Sequence, residues 1–336
     1  MNRRTFNAIS VAAIFAPMPR LSFAEPFTQN SAGYQIAEIN DGRLTTGHGG
    51  MATQQMAVDD ATLFQVASCS KTVTALAILT LVRDGRVNLD QPANRYLRRF
   101  PLTGPRGTTT TIEELMSHTA GATVHGFSGY GPNDKIPSLL EVLGGRDPAN
   151  SDAVRTRHQL FGKFKYSGGG IMVLQSLIED VTGTDFATYV ALEVLTPIGA
   201  PRATFAISPV AAFAHGFFED GKPLPGGYRR HPESAAAGLW ATASDLAKIL
   251  QAILHSLAGA TGAILPVPLA QRMVTPVNWR SGLGVFISPD GTISHEGRNY
   301  GFDSVMAADL KTGRIRTAVT NKNGAIDSFA RKLVPD

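Results

Sequence analysis

Strand-like segments at the two ends of the chain, separated by a long helical stretch, are the feature that most limits its possible folds. Residues 33 to 66 alternate short apolar runs with Gly and Asp turns, a pattern typical of β-hairpins. Near the C-terminus, turns at Pro289–Gly291 and Lys311–Gly313 separate further strand-like segments. These segments are Gly282–Ser288, Thr292–His295, Phe302–Asp309 and Arg314–Thr320. The pattern therefore predicts an α+β fold whose antiparallel sheet is built from both ends of the chain.

The stretch between these ends has the apolar spacing of helices. The predicted helices are Ser70–Val82, Ile112–Met116 behind a Thr111/Glu114 capping box, Gly170–Val181, 187–195 and 244–257, with a closing helix at about Ala325–Leu333. The sequence shows no internal repeat or low-complexity tract. We therefore expect one domain over residues 25–336. Its sheet region should cover about 25–80 and 250–336, and its helical region about 81–249.

The first 24 residues have the organisation of a signal peptide. A cationic start precedes an apolar run from Phe6 to Phe15, and Ser22-Phe23-Ala24 fits a signal peptidase site. Export to the periplasm or the medium is expected, and Arg3-Arg4 resembles the twin-arginine signal. Because the apolar run is too short to cross a bilayer permanently, no stable membrane anchor is expected.

Charge and cysteine content exclude several classes of function. Removal of Arg3, Arg4 and Arg20 with the signal peptide lowers the formal net charge from +4 to +1. No cluster of Lys and Arg remains to bind nucleic acid. Cys69 is the single cysteine, so neither an intrachain disulfide nor a Cys/His zinc site is expected. Cys69 is interpreted as a small buried residue rather than as a nucleophile.

Ser68 and Lys71 lie at the start of a predicted apolar helix, directly after a strand-like segment. Residues three apart on a helix share one face, so the two side chains should lie within one turn. Free backbone N–H groups at this end favour an oxyanion, and a lysine in a dry cleft can accept the hydroxyl proton. In isolation, however, such a serine more often only caps its helix.

Three later segments accompany the Ser68 segment in a fixed order: Leu115–Gly121, Phe164–Gly170 and His295–Phe302. Together with Phe64–Ala75 and Leu81–Asp90, they resemble the motifs of the penicillin-recognising serine hydrolases. This family includes class C β-lactamases, D-alanyl-D-alanine carboxypeptidases, D-aminopeptidases and esterases of β-lactamase fold. The resemblance spans about residues 33–322 and implies a β-lactamase/transpeptidase-like fold, with helices flanking the sheet and a mostly helical region inserted in it.

The resemblance implies that Ser68 is the nucleophile and that Lys71 and Tyr166 move protons. A cationic Lys71 would lower the pKa of the phenol below about 10, so the pair would titrate together and either member could be the base. The family's usual Tyr-x-Asn is here Tyr166-Ser167-Gly168. Gly168 therefore lacks an amide that would orient Lys71 and a substrate carbonyl.

His295-Glu296-Gly297 resembles the family's third motif, in which glycine lets the substrate approach the strand. The resemblance implies an oxyanion hole formed by the backbone N–H groups of Ser68 and Arg298. Glu296 should repel a substrate carboxylate unless Arg298 offsets it. His295 is either a residue that contacts the substrate or a hydrogen-bonded strand histidine.

Several other patterns are not interpreted as sites. Lys311-Thr312-Gly313 spells the β-lactamase triplet but lies in a predicted turn, and His295-Glu296 begins a zinc motif that has no second histidine. No G-x-S-x-G sequence occurs, so an α/β-hydrolase elbow is excluded. His118 and His125 are interpreted as structural residues near the mouth of the cleft.

The sequence therefore predicts hydrolysis of a small ester, amide or peptide through an acyl-Ser68 intermediate, without a metal or organic cofactor. Esterase or D-amino-acid amidase and peptidase activity is favoured over β-lactamase or D-alanyl-D-alanine carboxypeptidase activity. A catalytically silent protein that binds penicillin or peptidoglycan fragments is the alternative from another class. The intact set of Ser68, Lys71 and Tyr166 argues against it.

Overall fold

The computed structural model describes residues 32–157, 162–208 and 212–325. The signal peptide at residues 1–24 and nearly all of the closing helix at Ala325–Leu333 lie outside these ranges and stay predictions. Within them, no helix combines the length and the apolar character needed to cross a membrane.

Eight strands in the described part of the chain form two sheets. They are β1 (Tyr34–Asn40), β2 (Arg43–Gly49), β3 (Phe64–Gln65), β4 (Trp240–Ala241), β5 (Phe286–Ile287), β6 (Thr292–Asn299), β7 (Phe302–Asp309) and β8 (Ile315–Thr320). The main sheet is antiparallel in the order β2-β1-β8-β7-β6-β5, and β3 pairs with β4. Because β1 pairs with β8 from Tyr34–Thr320 to Ile39–Ile315, the predicted antiparallel sheet built from both ends is confirmed.

Eight α-helices lie in the described ranges. They are α1 (Ser70–Arg83), α2 (Ile112–Met116), α3 (Leu139–Gly144), α4 (Gly168–Thr182), α5 (Phe186–Val190), α6 (Ser234–Ala237), α7 (Ala243–Leu257) and α8 (Val267–Val274). The capping box predicted before α2 is present, with Thr111 and Glu114 bonded to each other's backbone N–H groups. Helix α4 begins two residues earlier than predicted, because the Ser167 hydroxyl caps it by accepting from the N–H of Gly170 at 2.9 Å.

Helix α1 is the centre of the molecule and is buried on nearly all faces from Ser70 to Leu81. It packs against α4 and α6, whereas α7 covers the main sheet at β1, β7 and β8. The backbone of Ala243, at the start of α7, is bonded to the side chains of Gln35 and Thr317, which fixes this helix on the sheet. The N-terminus of α1 thus lies between the sheet and the helical region.

Candidate active site

Ser68 lies in a single 3-10 turn, Ala67–Cys69, between β3 and α1. Ala67 precedes it with a φ of +46°, a left-handed conformation that costs an alanine about 1–2 kcal/mol. The turn is held from both sides, because the Val66 carbonyl accepts from the Ser304 hydroxyl at 2.8 Å and from the Cys69 N–H at 3.1 Å. This strain adjoins the predicted nucleophile, a common position for stored strain.

Lys71 faces Ser68 from the first turn of α1, as the spacing of the two residues predicts. Its Nζ donates to Ser68 Oγ at 2.9 Å and to the backbone carbonyl of Ala236 at 2.6 Å. Burial disfavours the ammonium and lowers the pKa of Lys71 to about 7. The amine is therefore uncharged in a large fraction of molecules at neutral pH.

Tyr166 completes the group, with its ring centroid 4.9 Å from Lys71 Nζ. Burial raises the pKa of its phenol above the ordinary value, although a hydrogen bond with the Ser68 side chain lowers it in part. The expectation that Lys71 would lower this pKa is therefore wrong. Lys71 loses its proton near pH 7, before the phenol could ionise, so it supplies no positive charge to stabilise a phenolate. Tyr166 remains a proton donor.

His118 and His125 pack against the Tyr166 ring, with centroid distances of 4.5 and 5.1 Å. His118 Nδ1 accepts from the Ser167 N–H at 3.2 Å, which holds the backbone beside Tyr166. Burial, with a smaller contribution from Lys71, keeps the pKa of His118 well below its ordinary value. These contacts fit the structural role expected for both histidines.

His295 lies on the other side of the aromatic group, 6.2 Å from Tyr166 between ring centroids. Its Nδ1 faces the Glu296 carbonyl at 2.7 Å, so Nδ1 carries the proton and Nε2 is a lone-pair acceptor. No described residue bonds to the buried Nε2. Burial, and then Lys71, lowers the pKa of His295 to about 3, so the ring is neutral.

Gly297 brings β6 against the Ser68 turn. A Cβ on this residue would lie 2.2 Å from the Val66 carbonyl oxygen and 3.0 Å from Ser68 N, so only glycine permits the approach. Strand β5 pairs with Ile293 and Ser294 alone, so no described strand pairs with this edge of β6 beyond them. An extended substrate can bind to such an edge, while the part of Arg298 N–H in the oxyanion hole stays a prediction.

The two charges of this segment differ in their partners. Arg298 donates to both carboxylate oxygens of Asp303, at 2.8 and 3.2 Å, which neutralises much of its charge. Glu296 is exposed on β6, and no ion pair joins it to any other described residue. Arg298 therefore does little to offset Glu296.

Phe127 occupies the space that a side chain at position 168 would need. A Cβ on Gly168 would lie 3.0 Å from the Phe127 ring and 3.2 Å from the His125 carbonyl oxygen. The Gly168 N–H donates to that same carbonyl at 2.9 Å. The missing amide is thus replaced by packing at Gly168, and the Ala236 carbonyl holds Lys71 instead.

Aromatic side chains form one wall of the cleft mouth. Phe164 lies 5.9 Å from Trp279 and 6.2 Å from Phe286 between ring centroids, and Phe286 lies 6.1 Å from Tyr166. Trp279 is 75% exposed, and the guanidinium of Arg280 lies over its ring. The wall offers apolar area to a substrate close to the proton-transfer group.

The remaining sequence interpretations can be placed as well. Cys69 is buried, and burial raises the pKa of its thiol to about 12, which makes it an unreactive neighbour of Ser68. Lys311-Thr312-Gly313 lies in the turn between β7 and β8, where Gly313 has a φ of +73°. No cluster of metal-binding side chains occurs in the part of the chain that the structure describes.

Comparison with known proteins gives matches along most of the chain. A family model described as Beta-lactamase matches residues 12–334. Putative penicillin-binding protein PbpX from Bacillus subtilis (strain 168) is 26% identical over 289 residues, which cover 82% of this chain and 67% of that protein. Esterase EstB from Burkholderia gladioli is 28% identical over 227 residues, 57% of each protein, so the match spans little more than half of that esterase.

Among solved structures, a D-stereospecific amidohydrolase from Streptomyces sp. has the same fold. It superposes with a TM-score of 0.73 over 91% of this chain and 95% of its own, at 18% identity. The agreement in fold confirms the predicted α+β arrangement of an antiparallel sheet with flanking helices.

Proposed function

This chain belongs to the beta-lactamase family, and on that basis we propose that it is a serine hydrolase that cleaves an ester or amide bond through an acyl-Ser68 intermediate. The observation that carries the proposal is the 2.9 Å contact between buried Lys71 Nζ and Ser68 Oγ. A lysine that is uncharged near neutral pH and bonded to a hydroxyl at a helix N-terminus is suited to act as a base.

Acylation uses the side chains in a defined order. Ser68 Oγ attacks the substrate carbonyl carbon while its proton passes to Lys71 Nζ. The oxyanion is stabilised by the backbone N–H groups of Ser68 and Arg298. Tyr166 then donates its phenolic proton to the leaving nitrogen or oxygen as the bond to carbon breaks, and the proton held by Lys71 restores the phenol.

Deacylation repeats these transfers with water as the nucleophile. Water gives one proton to Lys71 Nζ and attacks the acyl carbon, after which the Ser68 oxygen leaves and regains a proton from Lys71, either directly or relayed through the Tyr166 hydroxyl. The lone pair of His295 Nε2, which no described residue occupies, is one acceptor available near this position. Each step is balanced by protein groups and water alone.

Short-chain esters and D-amino acid amides are the substrates that the site favours over penicillins. Phe127 fills the place of the amide at position 168, and exposed Glu296 opposes a carboxylate along β6. The esterase EstB and the D-stereospecific amidohydrolase are similar in sequence or in fold, which supports this choice.

Covalent labelling tests the proposal. A fluorophosphonate probe, followed by peptide mass spectrometry, is expected to modify Ser68, and Ser68→Ala should lose both labelling and turnover of p-nitrophenyl acetate. Ser288→Ala is the matched control, because the Ser288 side chain has no hydrogen-bond partner among the described residues and lies in the turn after β5.

Modification confined to another serine would overturn the assignment of Ser68. A folded protein that binds a penicillin but is neither labelled nor active on any ester or amide would establish the silent binding protein instead.

A further inference from the structure

A cavity that Tyr166 helps to line plays no part in the reaction as described so far. It has a volume of about 470 Å³ and is lined by residues 122–125, 152–153, 155–157 and 165–166. This volume lies in the range of pockets that bind small molecules. Neither Ser68 nor Lys71 is among these residues, so Tyr166 is the member of the proposed catalytic group that the cavity contacts.

Two arginines on one face of an extended segment line this cavity. Arg155 and Arg157 are exposed on either side of buried Thr156, and side chains two apart on an extended chain point the same way. The Arg155 N–H donates to Thr123 Oγ1 and the Arg157 N–H to the Gly121 carbonyl, both at 2.9 Å. The backbone that carries the two guanidinium groups is thus fixed against the neighbouring chain.

Lys165 adds a third cation from a different segment. Its N–H donates to the His118 carbonyl at 2.8 Å, one residue before Tyr166, and its side chain is exposed. Asp152 is the single carboxylate among the lining residues, so positive charge predominates. We call the group of Arg155, Arg157 and Lys165 the cationic pocket.

The cations of this pocket have no acidic partner among the described residues. Arg99, Arg272 and Arg298 each form ion pairs with carboxylates. Within the described ranges, no ion pair or side-chain hydrogen bond involves Arg155, Arg157 or Lys165. Three like charges around one cavity repel one another, and an anionic ligand would relieve that repulsion.

We propose that the cationic pocket binds a carboxylate carried by the leaving group of the substrate. The inference rests on the proposed function, because it places the leaving atom against the Tyr166 hydroxyl that protonates it. The rest of the leaving group then extends into the cavity that starts at Tyr166. Guanidinium groups fit carboxylates with two parallel hydrogen bonds, which suits an amino acid or hydroxy acid as the product.

This assignment separates two positions for a negative charge. Glu296 opposes a carboxylate along β6, whereas no residue of β6 lines the cationic pocket. A carboxylate should therefore help turnover where a flexible leaving group carries it into the cavity, and hinder turnover where a rigid substrate such as a penicillin holds it beside β6. The pocket adds binding but no chemical step.

Equilibrium binding tests the pocket without turnover. By calorimetry at low salt, 4-hydroxybenzoate should bind about five- to tenfold more tightly than its uncharged analogue 4-hydroxybenzamide, the size expected for a few exposed charges. The preference should vanish in the double variant Arg155→Gln/Arg157→Gln and weaken with added salt. Arg43→Gln, a matched change of an exposed arginine on β2, should retain it.

Turnover tests the leaving-group assignment. The ratio of kcat/KM for 4-acetoxybenzoate to that for 4-acetoxybenzamide should exceed one by a similar factor and fall to about one in the double variant. Phenyl hemisuccinate, which carries its carboxylate on the acyl side, should gain nothing from the two arginines relative to phenyl acetate.

These experiments distinguish failure of the cationic pocket from failure of the proposed hydrolase activity. Equal binding of 4-hydroxybenzoate and 4-hydroxybenzamide would overturn the assignment of the cationic pocket as a carboxylate site, even if esters are hydrolysed. A preference that survives in the double variant would do the same. Arginine-dependent binding without any turnover would support the anion site and overturn both the hydrolase and its leaving-group assignment. An arginine-dependent gain for the hemisuccinate would place the acyl group in the pocket and contradict the proposal.

Discussion

The proposed catalytic group, Ser68, Lys71 and Tyr166, meets the cavity of the cationic pocket at Tyr166, but the two regions treat charge in opposite ways. At Ser68 and Lys71, burial removes charge, since Lys71 is 2% exposed and its pKa falls to about 7. In the pocket, the side chains of Arg155, Arg157 and Lys165 are exposed to water. One region therefore uses desolvation to make a weak base out of a strong one, and the other uses solvated charge to attract a ligand.

The two regions should respond to mutation on different scales, because one is buried and the other is solvated. A positioned proton-transfer group acts in a dry site, where its loss is not compensated by solvent. Exposed charges act through water and salt, which screen them. Changes at the catalytic group should thus be large and independent of salt, and changes at charged residues around it small and sensitive to salt.

The largest effects of side-chain removal next to the nucleophile should come from Lys71→Ala and Tyr166→Phe. Each should lower kcat/KM for p-nitrophenyl acetate by on the order of 10² to 10⁴, the usual contribution of a positioned acid or base. Steady-state kinetics measure the loss, and circular dichroism checks the fold. The exposed Lys135→Ala is the control and should stay near wild type. Near-normal activity in both variants would leave the reaction without a base and contradict the proposed roles of Lys71 and Tyr166.

The pH profile should show a change of intermediate size. The pKa of Lys71 is depressed from 10.5 to about 7 by burial, so the uncharged base dominates above pH 7 and is lost below it. We expect kcat/KM to fall about tenfold for each pH unit below 7. A profile that stays flat between pH 5 and 8 would show that Lys71 is not the base.

The cationic pocket should not respond to the same change in pH. Guanidinium groups keep their charge across this range, so the ratio between the charged and uncharged acetoxy substrates should stay constant while both rates fall. A ratio that follows the pH profile would mean that the two regions are coupled.

The smallest effect is expected from Glu296→Thr. Removal of an exposed carboxylate beside β6 should raise kcat/KM for nitrocefin about threefold to fivefold, relative to p-nitrophenyl acetate. The gain should shrink at high salt. Glu219→Thr, the same change at another exposed position, should give none. Efficient nitrocefin hydrolysis by the unmodified protein, without a gain in the variant, would contradict the electrostatic argument.

Features set by local spacing could be predicted from the sequence. Ser68 and Lys71 meet because a three-residue spacing on a helix brings side chains together, whatever surrounds them. Strands β7 and β8 lie within a residue of the predicted bounds, because alternating apolar residues between glycine turns specify them. The short helices α3, α6 and α8 were not predicted, since each is too brief to show a clear apolar period.

Features set by tertiary packing had no local signal. The Ala236 carbonyl that holds Lys71 belongs to the backbone, and any residue type supplies one. Phe127 fills the space at Gly168 only because its loop folds back over α4. The direction of the Tyr166 pKa depends on how deeply the ring is buried, which its motif does not specify. Arg155 and Arg157 form a pocket with Lys165 only after segments from three parts of the chain have met.

The pairing of β1 with β8 has a consequence for folding during synthesis on the ribosome. The Thr320 hydroxyl donates to the Gly33 carbonyl across 287 residues of sequence. At a synthesis rate of about 5–20 residues per second, β1 waits roughly 15 to 60 s for its partner strand to be made. Ile36 and Ile39, which are 5% and 4% exposed in the finished sheet, are without that cover during the interval. The nascent chain therefore passes through a long period in which its first strand is open to chaperones or to aggregation.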